Sequence, residues 1–72
     1  MKAIISRADE SGNIPEVGAM NRIVVTRKSI AGIRKYAKVY ADGRPHRIEF
    51  YTESDWLYHR ETFQVEDVKV LY

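Results

Sequence analysis

The chain has no cysteine, only two prolines and four glycines, and a single tryptophan in 72 residues. Without cysteine there is no disulfide to staple a small core and no thiolate to hold a metal. The redox character of its compartment therefore leaves no mark on the sequence. Its longest uninterrupted aliphatic run is Ile23-Val24-Val25, far short of the ~20 apolar residues a membrane-spanning helix needs. Met1-Lys2 leads straight into strand-like sequence, with no apolar signal core and no cleavage site. The phosphate-loop patterns G-x-x-x-x-G-K-S/T and G-x-G-x-x-G are missing, as are an H-E-x-x-H spacing and a G-x-S-x-G elbow around any serine. The expectation is a complete, soluble, cytoplasmic protein that neither enters a membrane nor works as an enzyme. No catalytic residue, metal site or cofactor is expected.

What is there is charge, unevenly placed. Residues 17–47 hold eight basic side chains, Arg22, Arg27, Lys28, Arg34, Lys35, Lys38, Arg44 and Arg47, against one acid, Asp42. That block carries +7, whereas residues 1–16 carry −1 and residues 48–72 carry −4, which leaves the whole chain at +2. Tyr36 and Tyr40 lie inside the basic block. Basic surface interleaved with aromatic rings suits an anionic partner, either nucleic acid or an acidic protein face.

At 44% hydrophobic and 31% charged residues the composition is globular, and the length allows one small domain spanning 1–72. A domain of this size buries only ~60% of the surface of its unfolded chain, so its stability is marginal. Homodimer formation is one way to compensate. The core candidates are Ile4, Ile5, Ile23, Val25, Ile30, Ile33, Ile48, Phe50, Trp56, Leu57, Phe63, Val65, Val68 and Val70.

Lys2–Arg7 reads as a strand, and residues 9–15 as a turn-rich loop in which Gly12 and Asn13 tolerate left-handed backbone. Residues 19–27 alternate, with Ile23 and Val25 on one face and Arg22, Val24 and Thr26 on the other, as a half-buried strand does. Ile48–Tyr51 is a third strand. Thr52 can cap a short helix running to Arg60, which Trp56 and Leu57 would anchor on the sheet. Residues 63–72 suit a closing strand, bent near Glu66-Asp67 where the alternation slips.

Residues 29–41 fit two structures. As a helix, Ser29 is the N-cap, and Ile30, Ile33, Tyr36, Ala37, Tyr40 and Ala41 form one apolar stripe ending at Asp42-Gly43. Against it stand Gly32 in the interior and β-branched Val39 off the stripe. As a hairpin, residues 35–41 and 44–51 are joined by Asp42-Gly43, the pair that a two-residue type I′ turn requires. Val39 then faces His46, Ala37 faces Ile48, and Lys38 faces Arg47. The hairpin is favoured because Asp-Gly between alternating runs is the stronger local signal. The fold class expected is α+β: a small, mostly antiparallel sheet of four or five strands with one or two short helices packed on one face.

The hairpin would set Tyr36, Lys38, Tyr40, Arg47 and Tyr51 on one sheet face, with rings to stack on bases and cations to track phosphates. The plainer alternative is a solvated charged face whose tyrosines merely cover the sheet. Arg27-Lys28-Ser29 could hold an anion at a helix start, or Ser29 could be an ordinary cap. The anionic-partner candidates are thus Arg27, Lys28, Tyr36, Lys38, Tyr40 and Arg47. His46 and His59 stand 13 residues apart without metal-ligand spacing. Trp56, Tyr58 and Tyr72, set among the acids of the last third, are candidates for a protein interface, although Trp56 is favoured for the core, where a large ring is scarce. The leading expectation is a small non-enzymatic binding module acting through a protein partner. Regulators, adaptors and inhibitors, including those of phages and other mobile elements, are often of this kind. The alternative is a nucleic-acid-binding domain using the basic-aromatic face of residues 27–47.

Overall fold

The computed structural model describes residues 1–16, 18 and 20–64. Four strands and one helix follow in the order β1 (Lys2–Arg7), β2 (Arg22–Thr26), α1 (Ile30–Ala41), β3 (His46–Tyr51) and β4 (Leu57–Phe63). The strands form one sheet in the order β2-β1-β3-β4, with every neighbouring pair antiparallel. This is the α+β architecture expected of the sequence, with four strands and one helix among the described residues.

The central strands follow the two-residue period of their side chains. Ala3 and Ile5 of β1, Val25 of β2, and Ile48 and Phe50 of β3 share one face and meet Ile33 and Ala37 of α1 in a single buried cluster. Ile23, Ile30, Tyr36, Tyr40 and Phe63 pack around its rim. Phe50, Ile5, Ile33 and Ile48 are the largest fully buried apolar side chains, each stabilising by about 1.5–3 kcal/mol. The other sheet face carries Lys2, Ile4, Ser6, Arg22, Val24, Arg47, Glu49 and Arg60, set opposite one another by the register.

The hairpin over residues 35–51 does not form; residues 30–41 are helix. The topology supplies the reason. β1 lies between β2 and β3, so those two strands run parallel, and the chain must cross over β1 to connect them. Parallel strands cannot be joined by a tight turn, whereas a helix makes the crossing and lays its apolar stripe on the sheet. Ser29 is extended at φ −142° and its Oγ accepts the N–H of Gly32 at 3.1 Å, which starts the helix. Asp42, left-handed at φ 50°, ends it by donating its N–H to the Lys38 carbonyl at 3.2 Å, and Gly43 follows at φ 80°. A type I′ turn and a left-handed helix stop both require positive φ, so Asp-Gly suits either. Val39 simply faces water, 74% exposed.

The helix expected over residues 52–60 is also replaced. Residues 52–56 make a closed turn, and residues 57–63 are strand β4, paired with β3. The register slips between Phe50 and Tyr51: Phe50 pairs with His59 and Tyr51 with Leu57, so Tyr58 has no opposite number. A bulge of this kind breaks alternation in the sequence and hides the strand. Trp56 and Leu57, counted among the core, are exposed instead. The closing strand over residues 63–72 is seen only at Phe63, the last residue of β4. Val65, Val68, Val70 and Tyr72 lie outside the described residues.

Candidate interaction surfaces

The six residues singled out as an anionic-partner face do not share a surface. α1 turns about 100° per residue, so Lys38 points about 160° away from Tyr36. The two tyrosines are partly buried against the core rim, and arginines cover their rings. The Arg27 guanidinium stands 4.8 Å from the Tyr36 ring centre, and that of Arg7 stands 4.6 Å from Tyr40. Arg7 also donates to the Tyr40 carbonyl at 3.1 Å, tying β1 to the last turn of α1. Arg47 lies on the far side of the sheet, where it donates to the Glu16 carboxylate at 3.1 Å and the Pro15 carbonyl at 3.3 Å. It pairs in register with Ser6 and Thr62 rather than with Lys38. Lys28 and Lys38 remain exposed, on separate parts of the surface.

The face of the sheet away from α1 is polar at its centre. Glu49 is buried there and satisfied by two arginines, Arg22 at 3.6 Å and Arg60 at 3.2 Å. Arg22 further donates to Ser6 Oγ at 3.2 Å and to the Gly18 carbonyl at 3.2 Å. A carboxylate withdrawn from water needs such partners. Three of the eight cations in the basic block, Arg22, Arg34 and Arg47, are thereby committed to acids of this chain.

Arg34 holds Glu61 in a two-pronged grip. Its Nε donates to Oε1 at 3.0 Å, and its Nη2 binds Oε2 more closely still. The hydrogen bond from Arg34 lowers the Glu61 carboxyl below its ordinary range, partly opposed by burial, with His59 adding to the lowering at 3.1 Å. The same bond raises Arg34. The pair fastens the flank of α1 to β4. His59 also stacks on Phe50, with ring centres 5.6 Å apart. His46 is buried, stacked on Phe63 at 4.8 Å, with Nδ1 placed 3.1 Å from the Arg44 carbonyl. Both rings thus have structural partners. Among the described residues, no group of three His, Cys, Asp or Glu side chains is gathered to hold a metal ion, and no helix is long and apolar enough to cross a membrane.

The interface candidates of the last third fare differently. Trp56 is 74% exposed at the end of the 52–56 turn. That turn is tied by three hydrogen bonds: Thr52 N–H to the Trp56 carbonyl at 2.9 Å, Asp55 N–H to the Thr52 carbonyl at 3.0 Å, and Trp56 N–H to Thr52 Oγ1 at 3.2 Å. Asp55, left-handed at φ 65°, pairs with Lys2. Leu57 and Tyr58 follow, both exposed, and the Tyr58 hydroxyl donates to Met1 Sδ at 3.9 Å. Leu57, Tyr58, His59 and Arg60 line an open hollow along β4, and among the described residues β4 is the last strand of its sheet. The sequence carries a signal for this surface, since Trp56-Leu57-Tyr58 is an unbroken apolar-aromatic run. A three-residue run does not say whether it faces inward. The comparisons add no identity: no protein-family model, curated protein or solved structure matches this chain.

Proposed function

We propose that this chain is a small, non-enzymatic binding module of the cytoplasm that acts through a protein partner, as a regulator, adaptor or inhibitor of the kind that phages and mobile elements carry. The observation that carries this reading is the exposed indole of Trp56, held on a hydrogen-bonded turn and continued by Leu57 and Tyr58 at the start of β4. Tryptophan and tyrosine dominate the energetics of protein interfaces because each removes a large apolar area from water at little conformational cost. A residue whose backbone is already fixed loses less entropy on binding.

Nucleic-acid binding is the weaker reading for this geometry. Base stacking needs exposed aromatic faces beside phosphate-binding cations, whereas the Tyr36 and Tyr40 rings lie beneath arginines, and Arg47 is spent on Glu16. The test is an NMR titration of labelled protein with short single-stranded and duplex oligonucleotides at low and near-physiological salt. Shifts that are absent, or that vanish with modest salt, are expected. Shifts clustered on residues 27–47 that persist at the higher salt would overturn the protein-partner reading.

A further inference from the structure

We propose that the end of the sheet bearing Trp56 is self-complementary and binds a second copy of this chain. The inference rests on the reading that the protein acts through a protein contact at Trp56, and it names the partner. The topology gathers two segments that are far apart in sequence. β2 and β3 finish, and β1 and β4 begin, at the same end of the sheet, where Thr26, Lys2, Tyr51 and Leu57 form one row across the four strands. Strands lie about 4.8 Å apart, so that row is about 14 Å wide.

Opposite charges stand at its two sides. Lys28 follows β2 on one side, exposed and without a hydrogen bond or ion pair among the described residues. Glu53 lies in the 52–56 turn on the other side in the same condition. Between them Lys2 and Asp55 already neutralise each other, and Met1, Leu57 and Tyr58 offer exposed apolar surface next to Trp56. A two-fold axis through the middle of the row sets Lys28 of one copy against Glu53 of the other, twice, and lays the apolar middle on its own image, as an isologous contact requires. Lys28 also stands at the positive end of α1, where an incoming carboxylate is favoured. A polyphosphate partner would meet Glu53 and Asp55 at this end, so the charges favour protein over nucleic acid. Joining two copies compensates for the small core of a chain this short. A contact confined to one end of a four-stranded sheet is smaller than the ~800 Å² per partner of a standard interface, so the dimer dissociates on dilution.

Sedimentation equilibrium of the full chain over a wide concentration range, with circular dichroism to verify folding, tests the assignment. A reversible dimer is expected. Trp56→Ser is expected to weaken it by about tenfold or more. Lys28→Glu and Glu53→Lys should each weaken it several-fold. The two substitutions together in one chain should restore association to about the wild-type level, because the complementarity is rebuilt with its signs exchanged. Val39→Ser, on the outer face of α1, should leave it unchanged. A monomer at every concentration, insensitivity to Trp56→Ser, or a double exchange no better than either single change would overturn the second-copy assignment. Those results leave the oligonucleotide titration to decide the protein-partner reading separately.

Discussion

Thr52 holds Trp56 by both of its backbone polar groups, accepting the Trp56 N–H on Oγ1 at 3.2 Å and donating its own N–H to the Trp56 carbonyl at 2.9 Å. One residue, through its hydroxyl and its backbone N–H, thus fixes the backbone of the most exposed aromatic residue in the described structure. The cost of leaving an indole in water is offset when a partner covers it, which is why the arrangement carries the functional proposal.

Trp56 is the sole tryptophan of the chain, so its fluorescence reports this turn alone. At concentrations low enough to keep the chain monomeric, native emission is expected to lie close to that of the urea-denatured protein, and acrylamide should quench both almost equally. A strongly blue-shifted, protected emission from the monomer would place the indole in the core. Thr52→Ala should lower stability by about 0.5–1.5 kcal/mol in urea melts, the range for one lost intramolecular hydrogen bond, and Thr52→Ser should retain most of it.

The helix can be tested at its first turn. Ser29→Ala removes the acceptor for the Gly32 N–H and is expected to cost about 1 kcal/mol. Gly32→Ala should do the reverse. A Cβ there meets Ser29 Oγ at 3.4 Å and Arg27 Cβ at 3.5 Å, ordinary contacts, and alanine improves helix propensity by up to about 1 kcal/mol. Were residues 35–51 a hairpin, neither change would act in this direction.

Glu61 gives the pH dependence its sign. The Arg34 hydrogen bond lowers its carboxyl in the folded state. Its stabilisation is therefore fully present above the unfolded value and is lost as pH falls through the folded one. Glu61→Gln is expected to lose under about 1 kcal/mol at pH 7, since Arg34 is half exposed and water screens the pair. Its urea midpoint should also fall less than that of the wild type between pH 6 and pH 3. Equal acid sensitivity in the two proteins would contradict the coupling.

Glu49 is the more costly acid to lose. Glu49→Ala strands the largely buried Arg22 without its counter-charge, and removing one partner of a buried pair costs roughly 3 kcal/mol or more. Because Arg60 is half exposed and can turn to water, the lower end of that range is expected by urea denaturation.

Much of the sheet was legible because its strands follow simple alternation. β1 was expected at Lys2–Arg7 and stands there, and the two faces of β2 were assigned correctly. Where the residues misled, the same local signal suited two structures and the deciding term was non-local. Asp42-Gly43 serves a hairpin turn and a helix stop alike, and only the position of β1 between β2 and β3 selects the stop. Thr52 with Asp55 resembles a helix start, yet Thr52 closes a turn and the bulge at Tyr58 conceals a strand. The candidate surface was legible in its residue types and not in its assembly. Tyr36, Lys38 and Arg47 are neighbours only if the chain folds back at Gly43; with α1 in place they point in three directions. Trp56 was expected inward because the core needed a large ring, but Phe50 and the five isoleucine and alanine positions clustered with it already fill the space.

The most direct test of the central claim is photocrosslinking from Tyr58, replaced by benzoylphenylalanine, in living cells of the source, with Val39 replaced in the same way as a control on the outer face of α1. Protein adducts from position 58, reduced by Trp56→Ser and weak or missing from position 39, are the expected result. Nucleic-acid adducts, or protein adducts from position 39 alone, would contradict an aromatic protein-contact surface at this end of the sheet.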